Sequence, residues 1–412
     1  MSRRSVITGI GVVAPNGIGT ETYWSATRQG KNAVRRITSF DPSSYPTQLA
    51  GEVDGFKPED YIDGRLIVQT DRWTWLALAA TDMALKDAQF DPKSAEPYQM
   101  SVITASSSGG NEFGQREIGN LWGKGVLFVS AYQSIAWFYA ATTGQIAIKW
   151  GMKGPCGVVL SEGAGGLEAL AHSRRNIRRG VDVVVSGGTE APLCPYALVC
   201  QLQNGLLSRE TDPALAYRPF DAKANGYVPG EGGAILIVEE LEHAKKRGAP
   251  HLYAEILGYC ATQDGYHYGK HAPDARQYAR AMRQAIQNAG IAPKEVDVIF
   301  ADAAGDLQAD ALEAEAIREV FGSGASKVPI TAPKSMVGRL YAGGAPLDVA
   351  AALLSMRDQV VPPIVNLSDP AKDCKLNFVT QQERRMPVRT ALVNGRGYGG
   401  FNSSLVLRKY TA

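Results

Sequence analysis

The sequence predicts an α/β fold in which sheets lie sandwiched between helices and two related halves pack as one compact unit. Three observations carry this reading. Runs such as VDVVVSGG (181–188) and DVIFADAAG (297–305) stay apolar through several consecutive positions, as strands covered on both faces do. The segments between such runs carry helical apolar stripes. The halves also echo each other. SVITGIGVVAPNG (5–17) and LYAEILGYCATQDG (252–265) both place a strand before a glycine-containing loop. VVVSGGTEA (183–191) and ALVNGRGYGGFNSS (391–404) both place one before a glycine turn. The charged segment ELEHAKKRGAP (240–250) separates the two sets, so the junction is expected near residue 245, with halves of 1–245 and 246–412.

In chain order, the first half is expected to carry strands at 5–13, 100–105, 157–160, 182–187 and 234–239. The second is expected to carry them at 252–262, 296–301, 328–331, 390–394 and 403–408. The first of these follows Arg3 and Arg4 and closes in Pro15-Asn16-Gly17. It therefore reads as a buried strand and turn, not as a signal peptide. A helix over 71–89 gathers Leu76, Ala79, Ala80, Met83 and Ala84 on one face. A second, over 165–180, turns Leu167, Leu170, Ala171 and Ile177 inward and leaves Arg174, Arg175, Arg178 and Arg179 as a solvated ring near its C-terminus.

Bulk properties exclude several classes. The 412 residues suffice for one large α/β unit with an extensive core, and 45% apolar with 20% charged residues is ordinary for a globular protein. A net charge of +2 gives no case for nucleic acid or an anionic membrane. No run approaches the roughly 18 apolar residues of a membrane span. Cys156, Cys194, Cys200, Cys260 and Cys374 are scattered and odd in number, and they read as reduced thiols of a cytoplasmic protein. His267 and His271 are four apart, but Gly269 and the flanking tyrosines indicate a loop, and no metal site is expected.

GVVLSEGAGGLEALAHSRRNIRRG (157–180) has the build of a nucleophile elbow: a strand, a glycine turn, then a helix. Its turn reads Glu162-Gly163-Ala164-Gly165-Gly166, with no nucleophile at the apex.

Three further stretches, RPFDAKANGYVPGEGGAILIVEE (218–240), APKSMVGRLYAGGAPLDV (332–349) and NGRGYGGFNSSLVL (394–407), join this elbow and FADAAGD (300–306) in one ordered pattern. The pattern spans essentially the whole chain and resembles the β-ketoacyl synthases of the thiolase superfamily. The resemblance implies a thiolase fold, a five-layered α-β-α-β-α sandwich with a dyad between duplicated halves. Such synthases extend acyl chains by decarboxylative Claisen condensation, using an apex Cys and two His, one in H-G-T-G-T and one in K-x-x-x-G-H. In this sequence the matching positions are Gly163, Asp302 and Arg339. All three groups are replaced, so no catalytic residue is assigned.

Loss of all three with retention of the scaffold resembles the chain-length factors, the β ketosynthase subunits of aromatic type II polyketide synthases. GRLYAGGAPLDV (338–349), YVPGEGGAILI (227–237) and AWFYAATTGQIAI (136–148) are similar to that family. The chain departs from it at the apex, where many members carry Gln in V-x-x-Q-A-G-G-L-D-A and Gly163 stands here. Glu162 is adjacent, but a one-residue shift at such a turn is expected to aim its side chain elsewhere. Priming would then fall to the partner or take another route. Asp302 and Arg339 should form a salt bridge in the dead pocket.

The resemblance implies a heterodimer with a catalytic ketosynthase and visits from acyl carrier protein, whose phosphopantetheine travels with it, so no cofactor is expected. The growing polyketide chain would pass from the partner into a tunnel. Positions matching the family's gates are Asn111, Gly114, Ile118 and Leu198, with Phe113 and Tyr196 beside them. Their small volumes imply a long product, a decaketide or longer, unless neighbouring aromatics such as Phe113, Tyr132, Trp137 and Tyr196 refill the space. Gln133, Ser134, Trp137 and Phe138 are placed at a large, apolar partner interface, and Tyr398 is expected to pack. Two other readings stand beside this one. The first is an autonomous homodimeric synthase or decarboxylase with an unusual active site. The second is a scaffold that binds carrier protein without touching the chain, which a polar or plugged interface would favour.

Overall fold

The computed structural model describes residues 3–411. Numbering only the principal elements, the first half contributes β1 (Ser5–Ala14), β2 (Met100–Ala105), β3 (Cys156–Val159), β4 (Val183–Glu190) and β5 (Gly232–Glu240). The second contributes β6 (Ala254–Gln263), β7 (Val298–Phe300), β8 (Ile330–Thr331), β9 (Thr390–Gly397) and β10 (Phe401–Lys409). Every strand expected from sequence is present. The hydrogen-bonded order is β8-β7-β9-β10-β6-β1-β5-β4-β2-β3. Read outward from its centre, each half repeats one pattern: β1-β5-β4-β2-β3 on one side and β6-β10-β9-β7-β8 on the other, antiparallel at the inner pairs and parallel at the outer ones. A short antiparallel contact, Val6 with Glu255 and Ile7 with Ala254, joins the halves.

Helices complete five layers. α1 (Arg72–Asp87) and α4 (Ala141–Trp150) cover one outer face, and α7 (Arg276–Asn288) and α8 (Leu307–Phe321) the other. α5 (Gly165–Arg178) and α9 (Gly344–Asp358) lie between the sheets. Nearly all of α9 is buried, as its position between two sheets demands. Strand glycines permit close helix packing: a Cβ on Gly11 would lie 1.9 Å from Ala80 O of α1, and one on Gly258 would lie 2.1 Å from Ala285 O of α7.

The stripe on α1 is buried except for half-buried Met83. On α5, Leu167, Leu170, Ala171 and Ile177 are buried, and Arg175, Arg178 and Arg179 are exposed. Arg174 departs from the expected solvated ring. Its guanidinium donates to Leu257 O and to Asn288 Oδ1, tying the middle layer to the second half. Burial, helped by Arg178, lowers its pKa to about 10. No helix among the described residues is long and apolar enough to cross a membrane.

Candidate functional site

The elbow forms where β3 ends. A single 3₁₀ turn, Glu162–Ala164, lifts the chain into α5. Glu162 sits at φ +47°, a left-handed conformation uncommon for a residue with a side chain. Gly163 follows, and the space above it is taken. A Cβ there would lie 2.4 Å from Arg396 O and 3.0 Å from Arg339 Nη2.

Arg339 comes from the loop after β8, Asp302 from the end of β7, and Arg396 from β9. The structure brings Gly163, Asp302 and Arg339 together. Arg339 Nη1 and Nη2 face Asp302 Oδ2 and Oδ1 at 3.2 and 3.3 Å, so the expected salt bridge is direct. Arg339 Nη2 also donates to Arg396 O at 2.6 Å, and its guanidinium lies over the Tyr227 ring. Asp302 Oδ1 accepts from Arg396 N at 2.8 Å. Burial opposes ionisation of Asp302, but Arg339, then Lys334 and the Arg396 N–H, outweigh it and hold the carboxyl below its ordinary range. Burial likewise opposes the charge on Arg339, and Asp302 followed by Glu162 overcomes it.

A second tier supports this pair. Glu313 on α8 accepts from Asp302 N and Ala303 N at 2.9 and 2.8 Å. Lys334 pairs with Asp348 at 2.8 Å, and burial, partly offset by Lys334, pushes the Asp348 carboxyl up to about 6. The Arg396 guanidinium reaches Asp264 Oδ2 at 3.3 Å and Asn402 Oδ1 at 3.0 Å. Of these groups Asp302, Arg339, Arg396 and Asp264 line the floor of a cleft of about 1220 Å³, which Tyr139, Tyr196 and Tyr341 also line. Among the described residues no nucleophile stands at the apex, and Arg339, the guanidinium against Gly163, is committed to carboxylate and carbonyl acceptors.

Glu162 corrects an expectation: its side chain lines the cleft, and Oε2 accepts from Tyr398 N at 2.8 Å. Tyr398 is not packed away but stands partly exposed in the cleft wall. His271 pairs with Asp306 at 3.2 Å, and His267 Nδ1 accepts from Gly269 N. Among the described residues no three His, Cys, Asp or Glu side chains converge as a metal site would require.

The tunnel candidates separate. Asn111 and Tyr196 line the cleft. Phe113 is buried with Arg116 stacked on its ring, and Leu198, on α6 (Pro195–Leu202), is buried in the cluster around Tyr217 and Tyr227. Ile118 faces outward from α2 (Asn111–Lys124). The space left by Gly114 is not open: Trp137 packs onto it, because the bare Cα admits an indole that any side chain would repel. Of the interface candidates, Ser134, Trp137 and Phe138 are exposed and Gln133 is half-buried, on and after the short helix α3 (Gln133–Ala136). They border an apolar face that includes Trp122, Val126, Phe128 and Leu127, the last 93% exposed.

Sequence reasoning did not single out Arg396 as part of the floor. Its only local signal is an Arg flanked by glycines in the strand NGRGYGG, and its inward turn depends on Asp264 and Asn402 from other segments.

Comparison with known proteins agrees with this geometry. The N-terminal domain model of β-ketoacyl synthases matches residues 2–244 and the C-terminal domain model matches 253–368. The tetracenomycin polyketide synthase ketoacyl synthase β subunit of Streptomyces glaucescens is 52% identical over 98% of both chains. A solved structure of the ishigamide ketosynthase/chain length factor superposes with a TM-score of 0.93 at 29% identity, covering all of both chains. A type II acyl-carrier protein in complex with its ketosynthase bound to the hexaketide contains a chain that superposes at 0.91 and 30% identity, again over all of both chains. The layers and the repeated strand order are those of the thiolase fold, and the chain belongs to the β-ketoacyl synthase family and, within it, to the chain-length factors, the ketosynthase β subunits of type II polyketide synthases.

Proposed function

We propose that this chain catalyses no condensation by itself. It pairs with a catalytic ketosynthase, supports that partner, and shapes the tunnel that sets poly-β-ketone length. One observation carries the reading: where a condensing enzyme needs a thiolate and two oxyanion donors, this chain has Gly163 under a closed Asp302–Arg339 ion pair. An anionic Asp302 repels a developing oxyanion, and Arg339 already serves two acceptors. Priming and condensation both fall to the partner, and carrier protein brings its own phosphopantetheine, so the chain needs no cofactor or metal.

The surface supports a permanent partner. Among the described residues β3 is an edge strand paired only with β2, and the apolar face of α2 and α3 stands in the open. The matching edge in the second half, β8, is capped from within: Ile330 N donates to Asn377 O and Val379 N to Ile330 O, both at 2.9 Å. One edge is thus finished and its dyad mate is left free for another chain. The ishigamide ketosynthase/chain length factor and the carrier-protein complex support the partner's chemistry: a ketosynthase, visited by acyl carrier protein. We place this assembly in the cytoplasm.

The test gives malonyl-loaded acyl carrier protein to the purified chain and to its heterodimer with ketosynthase. The chain alone should release no carbon dioxide and form no carbon–carbon bond, and the pair should yield polyketide. Turnover by the chain alone overturns the proposal.

A further inference from the structure

We infer that Trp137 is the side chain that ends the acyl tunnel; this rests on the chain-length reading above. The gate positions on α2 are small in this chain, and the structure shows what fills one of them. A Cβ on Gly114 would come 2.8 Å from Trp137 Cδ1, 3.4 Å from Nε1 and 3.8 Å from Cγ. The five-membered edge of the indole therefore lies on the bare Cα, where any other residue would push it off.

The seat is built and the ring is not locked. Gly110 N donates to Trp137 O at 3.3 Å, and Cβ atoms on Gly109 and Gly110 would lie 2.7 Å from Trp137 O and 2.1 Å from Ala136 O. Two glycines thus hold the backbone of 136–137 against the start of α2. The indole itself keeps 46% exposure. On one side its ring meets Tyr139, centroids 6.2 Å apart, and Tyr139 lines the cleft. Ile118, one helical turn beyond Gly114, and Phe138, the next residue after the indole, are both exposed. Trp137 therefore joins the exposed face to a ring that lines the cleft, and on this proposal an acyl chain entering from that face meets the indole. A poly-β-ketone alternates carbonyl and methylene carbons, and an indole filling the end of its path leaves no room for a further unit. Each two-carbon unit spans roughly 2.5 Å, and an indole is about two such units long by standard bond lengths.

The experiment uses the purified heterodimer with ketosynthase and malonyl-acyl carrier protein as sole substrate, with products weighed by mass spectrometry. Trp137→Ala should lengthen the product by one or two two-carbon units. Trp137→Leu keeps an apolar side chain at the face and should shift the product the same way. Gly114→Ala should change the product distribution by displacing the indole, and this effect should vanish in the Trp137→Ala background, because position 114 acts through Trp137. Unchanged products from both Trp137 variants in an intact, productive pair overturn the gate alone. Loss of pairing in both variants overturns it too, assigning the indole to the interface. A wild-type pair that makes no polyketide overturns the chain-length reading and the gate with it.

Discussion

Two elbows face each other across the dyad, and only one of them lies where a nucleophile is kept. In the first half, Glu162–Ala164 makes a 3₁₀ turn into α5; in the second, Tyr341–Gly343 makes the same turn into α9. Each opens on a side-chain residue in the left-handed region, Glu162 at φ +47° and Tyr341 at φ +50°. The turns touch: a Cβ on Gly166 would lie 3.0 Å from Ala342 O. They differ in the residue after the strained one. Ala342 is fully buried with its methyl accommodated, whereas Gly163 has a guanidinium and a carbonyl where a side chain would go. The strained turn is therefore a property of the duplicated fold, present in a half that never needs chemistry from it. Chemistry is an addition at one copy, and in this chain a buried ion pair has closed over that copy.

That comparison can be broken in several ways, in order of expected effect. Asp302→Ala leaves Arg339 charged and unpaired in the floor and should cost about 3–5 kcal/mol in urea unfolding, with Asp302→Leu plus Arg339→Met recovering most of it. If the single change is tolerated freely, the ion pair does not close the pocket. Gly163→Ala should cost about 1–3 kcal/mol, because Arg396 O is backbone and cannot step aside. Its counterpart Ala342→Gly should cost no more than about 1 kcal/mol, so equal losses at the two elbows would remove the asymmetry.

Tyr341→Phe removes the hydroxyl that donates to Gln201 Oε1 and should cost about 1 kcal/mol. The smallest effect is in the pH profile. Burial raises Glu190, at the end of β4, to about 7, so its contribution is complete below its ordinary value and declines as pH rises through about 7. Its mate at the end of β9 is Gly397, which cannot titrate. Asp302, held below its ordinary value, runs the other way, and its contribution is lost as acid is added. Thermal midpoints of Glu190→Gln should therefore fall less than wild type between about pH 5 and pH 8 and match it in the acid limb. A Glu190→Gln curve parallel to wild type throughout would reject that assignment.

The fold was legible because its signals are local. Ten apolar runs identify ten strands, and the repeated strand-and-glycine signatures identify the dyad, since each depends on neighbours in sequence. β7 and β8 are shorter than the runs that announce them, each losing the first two residues of its run. The site was legible as positions and not as contacts. The resemblance to condensing enzymes implies that Gly163, Asp302 and Arg339 share one pocket. No spacing shows that Arg339 rests against Gly163, that Arg396 locks both, or that Glu162 takes the Tyr398 N–H. Those contacts join segments more than 50 residues apart in the chain. Trp137 was named for the interface, while its seat on Gly114 depends on how α3 meets α2. Arg174 fits a polar helical face by period alone, and only the second half of the fold supplies the Leu257 carbonyl that draws it in.

The unfinished edge at β3 bears on how the protein must be made. A ribosome that releases this chain without a waiting ketosynthase releases a strand with open backbone groups beside an apolar patch, the pairing template from which aggregates grow. Balanced synthesis of the two subunits is then a solubility requirement as much as a stoichiometric one. Surplus copies of this chain should be the first to precipitate or to be degraded, and the yield of soluble protein should follow the dose of its partner more closely than its own.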